Sequence, residues 1–198
     1  MSRLICDKTV LLHICCAGCS TESIRRLSEE GFKVTGFFYN PNIHPEKEYQ
    51  KRKEDLNIVR KEFSVDIIEG AYHPDKWVEF IKGHENDREG GERCGLCFEM
   101  RLKEACRVML DKGFDFFTTT LTIGPYKNSR LINNIGKEIG GDRFLSRDFK
   151  KKDGFKKSVI FSKELSLYRQ SYCGCVYSMK AKRKEPSAKG KEQITNSK

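Results

Sequence analysis

Seven of the nine cysteines in this 198-residue chain fall into three tight groups: Cys15, Cys16 and Cys19; Cys94 and Cys97; Cys173 and Cys175. Their total is odd, and a cytoplasmic compartment keeps structural thiols reduced, so the groups point to metal ligation or redox work rather than a disulfide framework. Positions 94 and 97 differ by about 300° around a helix axis, which brings their side chains within about 60° of each other. Two such thiols can grip one object. Cys15 and Cys16 are adjacent, so they can face a common ligand from a loop at a strand's end but not from within a strand. Two pairs of thiolates from separate loops make a four-sulfur site, and spacing alone leaves tetrahedral zinc and an iron–sulfur cluster both open.

Cys19 is a surplus thiol beside the first pair. It is either a ligand for a second metal or a thiol at a helix N-terminus, where the dipole lowers its pKa. Gly174 allows the turn that brings Cys173 and Cys175 together. A disulfide there would close a very small ring of the labile or catalytic kind, with two further metal ligands as the alternative. Cys106 lies about half a turn round the helix from Cys97, and it and Cys6 are expected to pack in the core. His13, in an apolar run, is read as a satisfied core residue, and His44 as a loop residue within reach of substrate.

The elements that must position these groups follow from hydrophobic period and turn chemistry. Thr9 to Ile14 reads as a strand, Ser20 to Glu30 as a helix ended by Gly31, and Lys33 to Tyr39 as a second strand before the turn Asn40 to Asn42. Pro45 to Phe63 has a helical pattern, Val65 to Ile68 reads as a third strand, and Asp75 to Lys82 as a short helix. His84 to Gly91 is a loop that delivers the chain to Cys94. Leu96 to Asp111 is helical up to Gly113, Phe114 to Thr119 returns as a strand, and Ser129 to Ile139 and Lys163 to Arg169 complete the helices. Strands alternating with helices predict a single α/β domain with a mainly parallel, Rossmann-like (nucleotide-hydrolase-like) core over residues 1–179. Ligands in such sheets sit at the carboxyl ends of the strands, where Cys15, Cys16, Cys19 and the segment Thr119 to Tyr126 are expected to converge.

The formal charge is +10, a sign that suits a polyanionic partner. Residues 180–198 hold seven Lys or Arg and two Glu, so this tail alone carries +5. With few apolar residues, it is expected to be disordered. Lys150 to Lys152, Lys156 and Lys157 are either a solvated face or, with Arg147, Phe149 and Phe155 interleaved, a track for RNA phosphates and bases. No stretch reaches the roughly 18 to 20 apolar residues of a membrane span, and Met1 to Lys8 lacks the apolar run of a secretory signal. A soluble, cytoplasmic protein is expected.

Five segments then read together: LLHICCAGCS at Leu11 to Ser20, FYNPNIHP at Phe38 to Pro45, ERCGLCFEMRL at Glu92 to Leu102, FTTTLTIGPYKN at Phe117 to Asn128, and LYRQSYCGCVYS at Leu167 to Ser178. The set resembles the cobalamin-independent epoxyqueuosine reductases of the QueH type. The resemblance implies reduction of epoxyqueuosine to queuosine in a tRNA anticodon loop, a two-electron deoxygenation of the epoxide that ends queuosine synthesis, with electrons from a donor the sequence does not identify. It also implies a [4Fe-4S] cluster on Cys15, Cys16, Cys94 and Cys97 and a redox-active disulfide of Cys173 and Cys175. Gly18 stands where the family usually has proline, and Gly124 where a serine often precedes Pro-Tyr-Lys. Because an epoxide opens more readily when a Lewis acid holds its oxygen, Cys19 with Asp148 is read as a second metal site for an additional mononuclear iron. Two alternatives are a tRNA sulfurtransferase-like enzyme, which needs a Gly-rich phosphate loop where this chain offers only Gly18, and a zinc-dependent RNA-binding module.

Overall fold

The structure, a computed structural model, describes residues 8–179. The expectations for Cys6 and for the 180–198 tail lie outside the described residues. The chain runs β1 (Thr9–Ile14), α1 (Ala17–Glu29), β2 (Lys33–Phe38), α2 (Glu46–Glu54), α3 (Leu56–Phe63) and β3 (Asp66–Glu69). It continues through α4 (Pro74–Phe80), α5 (Glu92–Asp111), β4 (Phe116–Thr119), α6 (Ser129–Gly140) and α7 (Gly154–Glu164), with short 3-10 turns at Thr120–Ile123 and Gly141–Arg143.

The four strands pair in the order β3-β2-β1-β4, all parallel. Period-2 alternation along β1 sends Val10, Leu12 and Ile14 into one core with Ile24, Leu27, Leu56 and Val59. Its Leu11 joins Phe37, Phe98, Leu102, Met109, Phe117 and Ile132 in the other. Burial on both faces is what parallel strands require, and each fully buried Leu or Phe contributes about 1.5–3 kcal/mol. Helices α1 and α3 therefore cover one face, with α7 packed on α1, and α5 and α6 cover the other. Cys106 is buried in the α5 layer, as expected.

Three expectations change. Pro45 to Phe63 is two helices, because the chain bends at Asp55, whose Oδ2 accepts from Tyr168 N at 2.5 Å. Helix α1 starts at Ala17, so Cys16 is its N-cap residue and Cys19 lies in its first turn. The helix expected at Lys163 to Arg169 is displaced: α7 occupies Gly154–Glu164, and the chain then leaves helical geometry at Ser166 (φ 53°).

The displacement has a packing cause. Gly154, Ser158 and Ser162 recur every four residues, are buried, and form the face of α7 that meets α1. A Cβ at Gly154 would lie 1.8 Å from the Phe149 carbonyl oxygen, so this close approach needs glycine. Small polar residues carry the interface, and an apolar period does not reveal them. Phe149, an RNA-stacking ring in one of the two readings of this segment, is itself a core residue here. Phe155 lies half-buried beneath the Arg169 guanidinium, 5.5 Å from its ring centroid.

Candidate metal centre and its cavity

Parallel strands put their following loops at one edge. Cys15 and Cys16 follow β1, Asn40 to Ile43 follow β2, and Thr120 to Lys127 follow β4. They surround a cavity of about 80 Å³ whose walls include Cys15, Cys19, Asn42, Arg52, Arg101, Lys127 and Cys173.

The sulfurs of Cys15, Cys16 and Cys19 lie within 4.8 Å of one another. Thr120 Oγ1 donates to Cys15 Sγ at 3.3 Å, and Gln170 Nε2 donates to Cys16 Sγ at 3.1 Å. Hydrogen bonds from Cys16 and Cys19 hold the Cys15 thiol well below its ordinary pKa. The same bonds, with burial, push Cys16 up to about 12 and Cys19 well above its ordinary value. The three thiols thus act on one another, and Cys15 is the one most readily ionised. Of the two readings of Cys19, the helix-end thiol of lowered pKa is the one this direction runs against, because hydrogen bonds to Cys15 and Cys16 outweigh a partial charge at a helix end.

Cys94 and Cys97 sit in the first two turns of α5 and are not in that 4.8 Å group. Gly90 N donates to Cys94 Sγ at 3.2 Å, and Arg101 Nη1 lies 3.9 Å from Cys97 Sγ. Burial raises both thiols, and the Cys173 sulfur raises them further. Cys173 is held by Lys127, whose Nζ donates to its Sγ at 2.7 Å. Burial alone would lower the Lys127 pKa, but the charge on the Cys173 sulfur outweighs it and the pKa is raised.

No disulfide joins Cys173 and Cys175; both are free. Gly174 has φ +125°, and its carbonyl accepts from His44 N at 2.8 Å. In this backbone Cys173 meets Lys127, whereas Cys175 Sγ lies 3.4 Å from Ser178 Oγ. Asp148 also stands apart from the cysteine trio. Its Oδ2 accepts from Ser129 Oγ at 2.9 Å and its Oδ1 from Lys150 N at 3.2 Å. His13 is the satisfied core residue expected, with Thr119 Oγ1 at 2.8 Å and Tyr39 O at 3.0 Å, and burial pushes its pKa down to about 3. A second cluster, His84, Asp87 and Glu92, serves the chain itself: Asp87 Oδ2 accepts from Arg93 N at 2.8 Å and faces His84 Nδ1 at 3.0 Å.

Sequence reasoning missed the cations. Arg101 is 2 % exposed, donates to Asn40 Oδ1 at 2.8 Å, and has no carboxylate partner among the described residues. Its Nε has no acceptor among the described residues. An uncompensated buried guanidinium is costly, so this wall is prepared for an anionic occupant. Thiolates carrying a metal–sulfur group are anionic, and the donor set fits them. Arg101 is four residues after Cys97, on the same helix face, and that spacing was the available signal. Arg52 also lines the cavity, paired with Glu48 at 2.7 Å.

Gly18 is explained by α7. A Cβ there would lie 2.6 Å from Ser162 Oγ, which donates to Ser158 O and accepts from Arg169 Nη1. Gly18→Ala is therefore expected to cost about 1–3 kcal/mol, since that hydroxyl is fixed by two partners. Ser162→Ala should relieve most of it in the double variant, because the Ser162 Cβ is 3.7 Å from the added atom. Urea unfolding of the four proteins checks this; additive effects would rule out the contact.

Residues 10–181 match the family profile described as epoxyqueuosine reductase QueH. The chain is 39 % identical over 181 residues to the epoxyqueuosine reductase QueH of Streptococcus pyogenes serotype M1, covering 87 % of this chain and 71 % of the relative. It is 38 % identical over 183 residues to that of Thermotoga maritima, covering 89 % and 93 %. Among solved structures it is similar to the U34-tRNA thiolase NcsA from Methanococcus maripaludis with its [4Fe-4S] cluster. The TM-score is 0.52 at 15 % identity, over 87 % of this chain and 61 % of that one, a likeness of fold.

Proposed function

The chain belongs to the epoxyqueuosine reductase QueH family, and from that premise we propose that it binds a [4Fe-4S] cluster on Cys15, Cys16, Cys94 and Cys97. It is an oxidoreductase that reduces epoxyqueuosine to queuosine in tRNA. The observation that carries the cofactor reading is Arg101, a buried cation without a carboxylate partner among the described residues, which lies beside Cys97 and lines the same cavity as Cys15 and Cys19.

The reaction consumes two electrons and two protons, expels the epoxide oxygen as water and leaves an alkene. A [4Fe-4S] cluster on these four cysteines would supply single electrons, and a further iron beside it a Lewis acid for oxygen. The protein's part is to hold the thiolates, to keep cations from Arg52, Arg101 and Lys127 around the cavity, and to admit the substrate ring. Oxidation of Cys173 and Cys175 to a disulfide releases two electrons and two protons, which balances the reduction. In this reading Cys173, at the cavity wall, is the outer thiol, and Cys175 reaches it when the segment around Gly174 turns. An external donor then restores both thiols. Cys19 remains for a further iron; Asp148 joins it only by leaving Ser129 and the Lys150 amide.

One observation favours a second ligand set. Cys15, Cys16 and Cys19 are already gathered, so three thiolates from one loop and helix start can hold the cluster, with one iron open to substrate oxygen. The function itself is tested by anaerobic incubation of iron-loaded enzyme with tRNA containing epoxyqueuosine, with nucleosides identified by mass. Queuosine is the expected product, and an iron-loaded enzyme that yields none rejects the assignment.

No helix among the described residues is long and apolar enough to cross a membrane.

A further inference from the structure

Tyr126 is 97 % exposed, the most exposed aromatic side chain among the described residues. Other rings near the site have partners: Tyr49 stacks on Tyr72 at 3.9 Å, His44 lies 5.5 Å from Trp77, and the Tyr172 hydroxyl donates to His44 O at 2.5 Å. Tyr126 sits in a loop whose neighbouring residues, Gly124 and Lys127, both line the cavity. Lys127 turns its amine inward to Cys173 while the side chain of the adjacent Tyr126 is open to solvent.

The loop is fixed. Lys127 N donates to Gly124 O at 3.2 Å, Lys150 Nζ donates to Lys127 O at 2.5 Å, and Asn128 Oδ1 caps α6 by accepting from Leu131 N at 3.1 Å. The ring is therefore presented on a held turn. The Lys150 contact also brings the basic turn at Asp148–Asp153 against this loop. Arg130, Lys151 and Lys152 are exposed and have no ion-pair partner among the described residues. An open aromatic face flanked by free cations matches a nucleic acid strand, whose bases stack on the ring while its phosphates meet the charges.

We propose that Tyr126 is a stacking platform for the nucleobase that flanks the reacting nucleotide in the anticodon loop, a role that rests on the tRNA reading above. Lys127 and Tyr126 then divide one short loop, the first facing the reducing site and the second the RNA.

The test compares wild type, Tyr126→Ala and Tyr126→Phe, each loaded with iron anaerobically. The dissociation constant for an unmodified anticodon stem-loop RNA is measured first, then KM and kcat for the stem-loop carrying epoxyqueuosine, with dithionite as reductant. Loss of one stack should raise the Ala variant's dissociation constant and KM about tenfold. Its kcat at saturating RNA should stay near wild type, and Phe should bind like Tyr. Unchanged RNA binding in the Ala variant overturns the proposal, as does an equal loss in Phe, which would assign the hydroxyl. An effect confined to a protein electron donor and absent with dithionite also overturns it. If wild type reduces no epoxyqueuosine, the reaction assignment fails, while the stem-loop binding comparison still scores Tyr126.

Discussion

Serine at both Cys94 and Cys97 is expected to abolish the broad iron–sulfur absorbance, lower bound iron by about four per chain, and remove activity. Cys19→Ser is expected to keep the absorbance and lose turnover. The reason is the division of the thiols: two pairs supply four ligands, and Cys19 is left for chemistry. The second ligand set, on the gathered trio, has the opposite signature. If Cys19→Ser loses the iron while the double variant at 94 and 97 keeps it, three thiolates from one loop and helix start hold the cluster. Anaerobic reconstitution followed by iron analysis and absorbance decides between the sets without any activity measurement.

Arg101→Met is expected to act in opposite directions on the two forms of the protein. Without cofactor, a buried guanidinium that lacks a carboxylate partner gives way to an apolar chain of similar length. Such replacements are neutral to stabilising by about 1–4 kcal/mol. The Asn40 amide oxygen loses its partner at a cost of about 1–3 kcal/mol, so the melting temperature of the iron-free protein should hold or rise slightly. With cofactor, the variant lacks a positive charge facing anionic thiolates, and loss of iron to a chelator should accelerate about tenfold or more, since even a few kcal/mol of Coulomb energy is at stake at these distances. Calorimetry of both forms with chelator kinetics measures this. Equal destabilisation of both forms would make Arg101 a plain structural bond to Asn40.

The legible parts of the molecule were those in which periodicity and chemistry coincide. Thr9–Ile14 is the expected strand to the residue, and Ser129 starts the expected helix. Helix α7 was illegible because its buried face is Gly154, Ser158 and Ser162, residues that pack by being small. At the site, spacing isolated the thiols but not the cations. Arg101 and Lys127 look like ordinary surface charges along a chain, and only the third dimension brings them against Cys97 and Cys173. Asp148 was chosen for its chemistry, and its oxygens here accept from Ser129 and the Lys150 amide. Phe149 was chosen for its ring, yet the sheet needs that ring in its core.

The backbone from Tyr172 to Gly174 is strapped across the site by Arg52, which donates to the Tyr172 and Cys173 carbonyls, and by His44 N on the Gly174 carbonyl. The thiols at positions 15 to 97 and the cations Arg52, Arg101 and Lys127 all precede this strap in the chain. During synthesis from the N-terminus, the inner wall can thus gather while the ribosome still holds the strap. Cofactor loading before the strap is in place is topologically open to the nascent chain.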